Sequence, residues 1–198
     1  MARYTLEQRI LKRWEILKER ERNDGRRWYP RARRMVREMA RELELSPYVM
    51  AGVVAALSPQ NNWDTFNKRT RVRGYPNLKC ARKAVALFTY SNQFTCRGCH
   101  LPVQEKKAER ILAGERPMDV LRGPKVQAFY HNLAYPHSRR ITVDRWAWRV
   151  ATLDEYKSGF TAKKLQPVAD AYVKVAEQVD ELPLSVQAGT WLHIRSNG

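Results

Sequence analysis

Several features that mark other classes of protein are missing from this sequence. It has three cysteines, an odd number, so we expect reduced thiols in a reducing compartment and no disulfide framework. No apolar run approaches the roughly 18 residues that span a bilayer. The first twenty residues, MARYTLEQRILKRWEILKER, carry charge throughout and lack the apolar stretch of a secretory signal. We therefore expect a cytoplasmic protein that is neither secreted nor held in a membrane.

Acidic residues are also scarce, and this scarcity indicates a partner. The chain of 198 residues has 20 Asp and Glu against 37 Lys and Arg, a net charge of +17, while 43% of it is hydrophobic. That much apolar material supports a folded core, unlike a disordered basic tail. A strongly basic folded domain most often binds a polyanion, usually nucleic acid.

The basic residues are clustered. Residues 26–41 carry seven arginines and one acid, and residues 68–83 carry seven basic residues and no acid. Each cluster is interpretable as a solvated helix face. The excess of cations over acids favours a stripe that contacts phosphates.

The spacing of apolar residues predicts a compact all-α domain of about ten short helices, because apolar residues recur at three- and four-residue steps and strand signals are scarce. We expect one domain, residues 1–198, with a basic N-terminal helical extension (1–44) and a core (45–198). The Asn23-Asp24-Gly25 segment is expected to break the first helix. The predicted helices cover residues 6–21, 29–43, 48–57, 63–72, 79–89, 105–112, 118–121, 125–133, 145–151, 161–179 and 183–194, with a loop at 91–100.

One candidate site is the segment LRGPKVQAFY, residues 121–130. A tight turn at Gly123 before a helix exposes backbone N–H groups that bind a phosphate oxygen well. Lys125 falls in the first helical turn, where the helix dipole disfavours a cation and should lower the pKa of its amine. The alternative is an ordinary corner between two helices with a surface lysine.

A second candidate is Asp144, nineteen residues further on, between an extended apolar stretch and a helix. An aspartate there is a good N-cap, which is the structural interpretation. The functional interpretation is a carboxylate within reach of Lys125, acting as a general base or stabilising a cationic sugar.

A third candidate is the amide-rich loop that follows the apolar helix predicted at 48–57. Gln60, Asn61 and Asn62 are suited to hydrogen-bonding base edges or filling the space of a displaced base. The alternative is a loop that caps the next helix.

Together, in this order and spacing, the three segments resemble the helix-hairpin-helix DNA glycosylases, the endonuclease III and oxoguanine glycosylase group. The family patterns are L-S-x-Q followed by N-K, then an L-P-G-x-G-x-K hairpin, then V-D. They are matched here by residues 57–60, 67–68, 123–125 and 143–144. Arg149-Val150 and the segment from Trp191 resemble the family's second half, so the resemblance covers about residues 45–195.

The resemblance implies a monomeric enzyme with a cleft between two helical lobes that extrudes a base from double-stranded DNA and cleaves its glycosidic bond. It implies that Lys125 is the nucleophile of a bifunctional glycosylase and AP lyase, assisted by Asp144. Contacts to DNA would come from Gln60, Asn61, Asn62, Arg122, Gly123 and Arg145, with Gln60 filling the vacated stack.

The sequence departs from the family in three ways. The hairpin has one glycine where the family has two, Arg145 replaces a small or polar residue, and the four C-terminal cysteines of an iron–sulfur cluster are absent. We therefore expect no cofactor and a pocket for an unusual base. A zinc site at Cys80, Cys96, Cys99 and His100 is a further option, although reduced structural thiols are favoured.

Two other functions remain open. Relatives encoded by phages resemble enzymes that act on hypermodified bases of viral DNA, which would place this protein in a bacterial or phage-infected cell. The degenerate hairpin also fits a non-catalytic DNA-binding protein that keeps the fold, whereas retention of Lys125 and Asp144 at the family spacing favours an enzyme.

Overall fold

The structure, a computed structural model, describes residues 4–59, 61, 63, 65–67, 72–91, 102–154 and 161–197. Within these ranges there are ten helices and one hairpin of two three-residue strands, so the predicted all-α class is confirmed. The helices are α1 (Leu6–Glu15), α2 (Glu19–Glu42), α3 (Pro47–Ala56), α4 (Pro76–Ser91), α5 (Pro102–Leu112), α6 (Pro117–Val120), α7 (Pro124–Ala134), α8 (Arg145–Thr152), α9 (Ala162–Gln178) and α10 (Pro183–Asn197). The strands are β1 (Thr65–Asn67) and β2 (Val72–Gly74).

Local signals explain several helix ends. Ser46 caps α3 by accepting a hydrogen bond from the Tyr48 N–H at 3.3 Å, and Pro47 occupies the first helical position. The chain leaves α5 through Gly114 at a φ of 103°, a conformation that favours glycine. Both ends lie where the sequence predicts them.

The prediction for the first two helices is wrong in its break point. α1 already ends at Glu15, and α2 runs without interruption through Asn23, Asp24 and Gly25. Gly25 serves packing instead of a turn: a Cβ atom there would lie 2.6 Å from the backbone nitrogen of Gly189 in α10. The glycine therefore permits close approach of two helix backbones.

The predicted helix over residues 63–72 is also wrong for the residues that the structure describes. Residues 65–67 form β1, which pairs antiparallel with β2, with Thr65 opposite Gly74. The segment Thr-Phe-Asn has residues of low helix propensity, and pairing with β2 satisfies its backbone groups.

Two compact units divide the described chain, and the divisions fall after Arg33 and after Arg122. The single domain with an extension at residues 1–44 stays a prediction. The first unit combines residues up to 33 with those from 123 onward. In it α1 packs against α8, α9 and α10. A Cβ atom added to Gly189 in α10 would lie 2.9 Å from the aromatic ring of Trp14 in α1. The basic N-terminal segment therefore contributes to a core.

The second unit comprises residues 34–122 and is centred on α3. Every residue of α3 from Met50 to Ala56 is buried, and α4, α5 and α6 pack around it. This all-round burial explains why a ten-residue helix is apolar on every face. No helix among the described residues has both the length and the apolar character needed to cross a membrane.

Candidate active site

The turn before α7 has the backbone geometry that the sequence predicts. Gly123 has a φ of 91° and a ψ of 141°, a conformation that L-residues rarely adopt, and Pro124 is the first residue of the helix. The Gln127 N–H donates to the Gly123 carbonyl at 3.1 Å. The N–H groups of Lys125 and Val126 precede that bond in the helix and have no carbonyl of the same helix to bind.

Asp144 is the N-cap of α8. Its Oδ1 accepts hydrogen bonds from the N–H groups of Trp146 at 3.0 Å and Ala147 at 2.8 Å. The structural interpretation of this residue is thus confirmed. Because both bonds use the same oxygen, Oδ2 is left for another partner.

Lys125 and Asp144 lie in the same unit, are both half-buried, and influence each other's charge. Burial lowers the pKa of the Lys125 amine, and the negative charge of Asp144 opposes that shift. Burial raises the pKa of the Asp144 carboxyl, which the Ala147 N–H and the charge of Lys125 oppose. The sequence predicted the lowered pKa of Lys125, but its main cause is removal of the amine from water.

Arg145 lies beside this pair and is exposed. Its positive charge lowers the pKa of Lys125, although this effect is smaller than burial and than the opposing effect of Asp144. The same charge also lowers the pKa of Asp144. Its guanidinium carbon lies 5.1 Å from the centre of the Trp146 ring, a cation–π distance. The half-buried Trp146 therefore supplies an aromatic face next to Asp144, and Arg145 supplies a cation over that face.

A buried polar network fixes the segment that leads to Asp144, which has no regular secondary structure. Gln187 Nε2 donates to the Thr142 carbonyl at 3.1 Å, and Asn132 Nδ2 donates to Thr142 Oγ1 at 3.0 Å. The Tyr29 hydroxyl donates to Gln187 Oε1 at 3.2 Å, and burial raises the pKa of Tyr29 to about 12. Sequence reasoning missed these residues because their partners come from distant helices.

The remaining predicted DNA contacts are spread over different parts of the chain. Arg122 is exposed, and it belongs to the second unit. Asn61 is half-buried, and its Nδ2 donates to the Leu57 carbonyl at 3.5 Å, so its amide caps the end of α3. Gln60 and Asn62 lie outside the described residues.

The optional zinc site also falls largely outside the described residues. Cys80 is a buried thiol in α4, whereas Cys96, Cys99 and His100 are not described. Among the residues that are described, no three His, Cys, Asp or Glu side chains group as metal ligands.

A pocket of about 290 Å³ borders Lys125 on the first unit. Its walls are the start of α7, residues 139–141 and 143, and one face of α9. Arg139 and Arg140 contribute cations to it, and Gln166 and Asp170 line its α9 side. The adjacent arginines are visible in the sequence, but nothing in the spacing indicates that α9 completes a pocket with them.

These features define an all-helical protein with a desolvated lysine and an N-capping aspartate in one unit. The whole chain, residues 1–198, matches a family of unknown function (DUF7178), and the protein belongs to that family. No curated protein and no solved structure matches it.

Proposed function

We propose that this protein is a DNA glycosylase that excises a damaged or modified base from duplex DNA by base flipping, with AP lyase activity through Lys125. The observation that carries the proposal is the desolvated amine of Lys125 in the electrostatic field of Asp144. Paired groups whose ionised forms are both disfavoured by burial are typical of active sites.

Lys125 supplies the nucleophile. A lowered pKa increases the fraction of neutral amine at physiological pH, and only the neutral amine has a lone pair to attack the anomeric carbon of the sugar. The new C–N bond forms as the bond to the base breaks. The base leaves with the electron pair of that bond and takes up one proton, which balances the proton that the amine gives up. Opening of the sugar ring then leaves a Schiff base on the lysine.

Asp144 assists in its neutral and ionised forms. Its raised pKa keeps it protonated at a higher pH than an exposed aspartate, so it can exchange a proton with the reacting groups. When ionised, it stabilises the positive charge that develops on the sugar. Its capping bonds to α8 fix the carboxylate in place.

The turn at Gly123 and the basic surface hold the DNA. The N–H groups at the start of α7 are suited to a phosphate oxygen, and the exposed Arg122 precedes them in the chain. The half-buried Trp146 is our candidate for the aromatic side chain that stacks on an extruded base. It follows Asp144 by two residues, and the Arg145 guanidinium lies over its indole ring.

Borohydride trapping on duplexes that carry single lesions tests the proposal. Reduction of the Schiff base should leave a covalent protein–DNA adduct, and Lys125→Ala should abolish it while Lys163→Ala, an exposed lysine on α9, should not. Base release that persists in Lys125→Ala without an adduct would establish a monofunctional enzyme. An adduct of undiminished yield in Lys125→Ala would contradict the assignment of the nucleophile.

Asp144→Asn tests the second group without removing the helix cap, because asparagine caps helices as well as aspartate does. We expect base release to slow by about 10²–10⁴-fold, the usual contribution of an acid–base group. Undiminished base release in the variant would remove Asp144 from the chemistry. If neither the parent protein nor the variant acted on any DNA substrate, the protein would be a DNA-binding module that keeps the fold without catalysis.

A second candidate function is an enzyme that alters a hypermodified base without releasing it. The pocket beside Lys125 favours it, since an enzyme that alters a base without releasing it needs room for the group that is added or removed. A panel of duplexes with modified bases, analysed for free base against altered nucleotide, separates the two activities.

A further inference from the structure

The pocket beside Lys125 differs from an ordinary surface depression in its floor. Leu165, Ile141 and Val143 line it and are buried apolar residues, joined by Ala128 and Ala169 from the facing helices. At about 290 Å³ it is near the lower end of small-ligand pockets, which measure roughly 300–1,000 Å³. It therefore suits a small molecule with a compact apolar part.

The rim of the pocket is positively charged. Arg139 and Arg140 are both exposed, and neither side chain makes a hydrogen bond or ion pair with any residue in the described ranges. The backbone of this loop is nevertheless held, since Asn132 Nδ2 donates to the Arg140 carbonyl at 2.7 Å. A fixed loop thus presents two permanent cations at the mouth of the pocket.

Among the lining residues that the structure describes, the one acidic side chain is already engaged. Asp170 Oδ1 accepts a hydrogen bond from Gln166 Nε2 at 2.7 Å. Arg139 and Arg140 face the carboxylate of Asp170, so the described lining has an excess of about one positive charge when the Lys125 amine is neutral. Protonation of Lys125, which a bound dianion favours, raises that excess to about two. A phosphate monoester carries about −1.5 to −2 at neutral pH, whereas a carboxylate or a DNA phosphodiester carries about −1.

We propose that this pocket binds a phosphate monoester on a small organic group, with the phosphate between Arg139 and Arg140 and the organic part on the apolar floor. The planar guanidinium groups match phosphate oxygens in pairs. Two sources share this chemistry: a free nucleoside 5′-monophosphate and the terminal phosphate of a cut DNA strand. The binding itself goes beyond base excision and requires no catalytic activity.

Titration calorimetry with thymidine 5′-monophosphate tests the site, with neutral thymidine as the companion ligand. Arg140→Ala removes one cation, and Ala169→Phe fills the pocket without changing its charge. The control is Arg149→Ala, an exposed arginine on α8 that does not line the pocket. We expect Arg140→Ala to weaken binding by about tenfold or more, which corresponds to loss of one charge-assisted contact. Ala169→Phe should weaken binding to a similar extent by occupying the pocket, and the Arg149→Ala control should stay within about twofold.

Three results would overturn the proposal: thymidine binding as well as its monophosphate, Ala169→Phe leaving affinity unchanged, or Arg149→Ala weakening binding as much as Arg140→Ala. Should Ala169→Phe fail to fold by circular dichroism, Ala162→Phe at the exposed start of α9 fills the same pocket. A nicked duplex with a 5′-phosphate, compared with a 5′-hydroxyl nick, distinguishes the sources. Arg140-dependent preference for the phosphorylated nick supports the DNA terminus, and Arg140-dependent binding of the free nucleotide alone supports a small ligand.

Discussion

At the scale of single residues, the chemistry of the candidate site depends on three charges that act on one another. Lys125, Asp144 and Arg145 lie in two short segments, and burial disfavours the ionised forms of the first two. Arg145 and Asp144 influence Lys125 in opposite directions, so the contribution of each neighbour can be separated by experiment.

The opposing effects predict two shifts in the pKa of Lys125. Asp144→Asn removes the charge that favours the ammonium, so the pKa should fall further below the usual range of a lysine. Arg145→Gln removes a repelling charge, so the pKa should rise. NMR titration of reductively ¹³C-methylated protein measures both shifts, with the Lys125 resonance assigned from its loss in Lys125→Arg. Shifts in the same direction in both variants would contradict this electrostatic description.

Much of the residue-scale chemistry is visible in the sequence. Lys125 and Asp144 stand out because a Gly-Pro turn precedes one and an extended apolar stretch precedes the other. The network around Thr142 is not visible, because Gln187 lies 45 residues away on α10 and only the packed fold brings its amide to the Thr142 carbonyl. Burial, which dominates the pKa shifts, is likewise a property of the packed helices.

At the scale of elements, glycines show what a sequence does and does not determine. Gly114 and Gly123 both act as turn residues with positive φ, as their positions after and before helices predict. Gly25 has the same local signature, in an Asn-Asp-Gly segment, yet lies within α2 because α10 packs against it. Local propensity thus places most helix ends, and tertiary contact overrides it where two backbones approach closely.

Gly114 and Gly123 form a matched pair for testing whether the turn before α7 binds DNA. At each position a Cβ would meet no atom within 4 Å, so the cost of Gly→Ala comes only from the backbone conformation. We expect Gly123→Ala and Gly114→Ala each to lower the free energy of unfolding by about 1–3 kcal/mol in urea denaturation. Gly123→Ala should in addition weaken DNA binding, because it redirects the N–H groups at the start of α7.

Equal DNA affinities for these two variants, at similar stability, would show that the turn before α7 does not contact DNA. A fluorescence-anisotropy titration with the same duplex gives both affinities. The comparison needs no catalytic activity, so it is valid even if borohydride traps no adduct.

At the scale of the whole molecule, the net charge of +17 and its distribution bear on where the proposed DNA partner would bind. Exposed arginines recur along α2, among them Arg27 and Arg34, outside the segment that carries Lys125 and Asp144. If the proposed function holds, DNA binding and chemistry depend on different side chains, and salt should act on the binding.

Salt dependence tests this separation. The logarithm of the DNA association constant should fall linearly with the logarithm of salt concentration, with a slope of about −0.9 per phosphate contact. Arg27→Ala and Arg34→Ala should each reduce the slope by about 1, whereas Asp144→Asn should leave it unchanged. A slope in the arginine variants identical to that of the parent protein would place the DNA elsewhere on the surface.

The division of the chain also bears on the order in which the protein matures during synthesis. The unit of residues 34–122 is continuous, so the ribosome releases all of it before the second half of the other unit exists. The earlier-made α1 must then wait for α8, α9 and α10, and closing that long loop costs entropy. Lys125 and Asp144 belong to this later-completed unit, so the candidate site forms only after α8, α9 and α10 have been made, when the intervening helices are already available to fold.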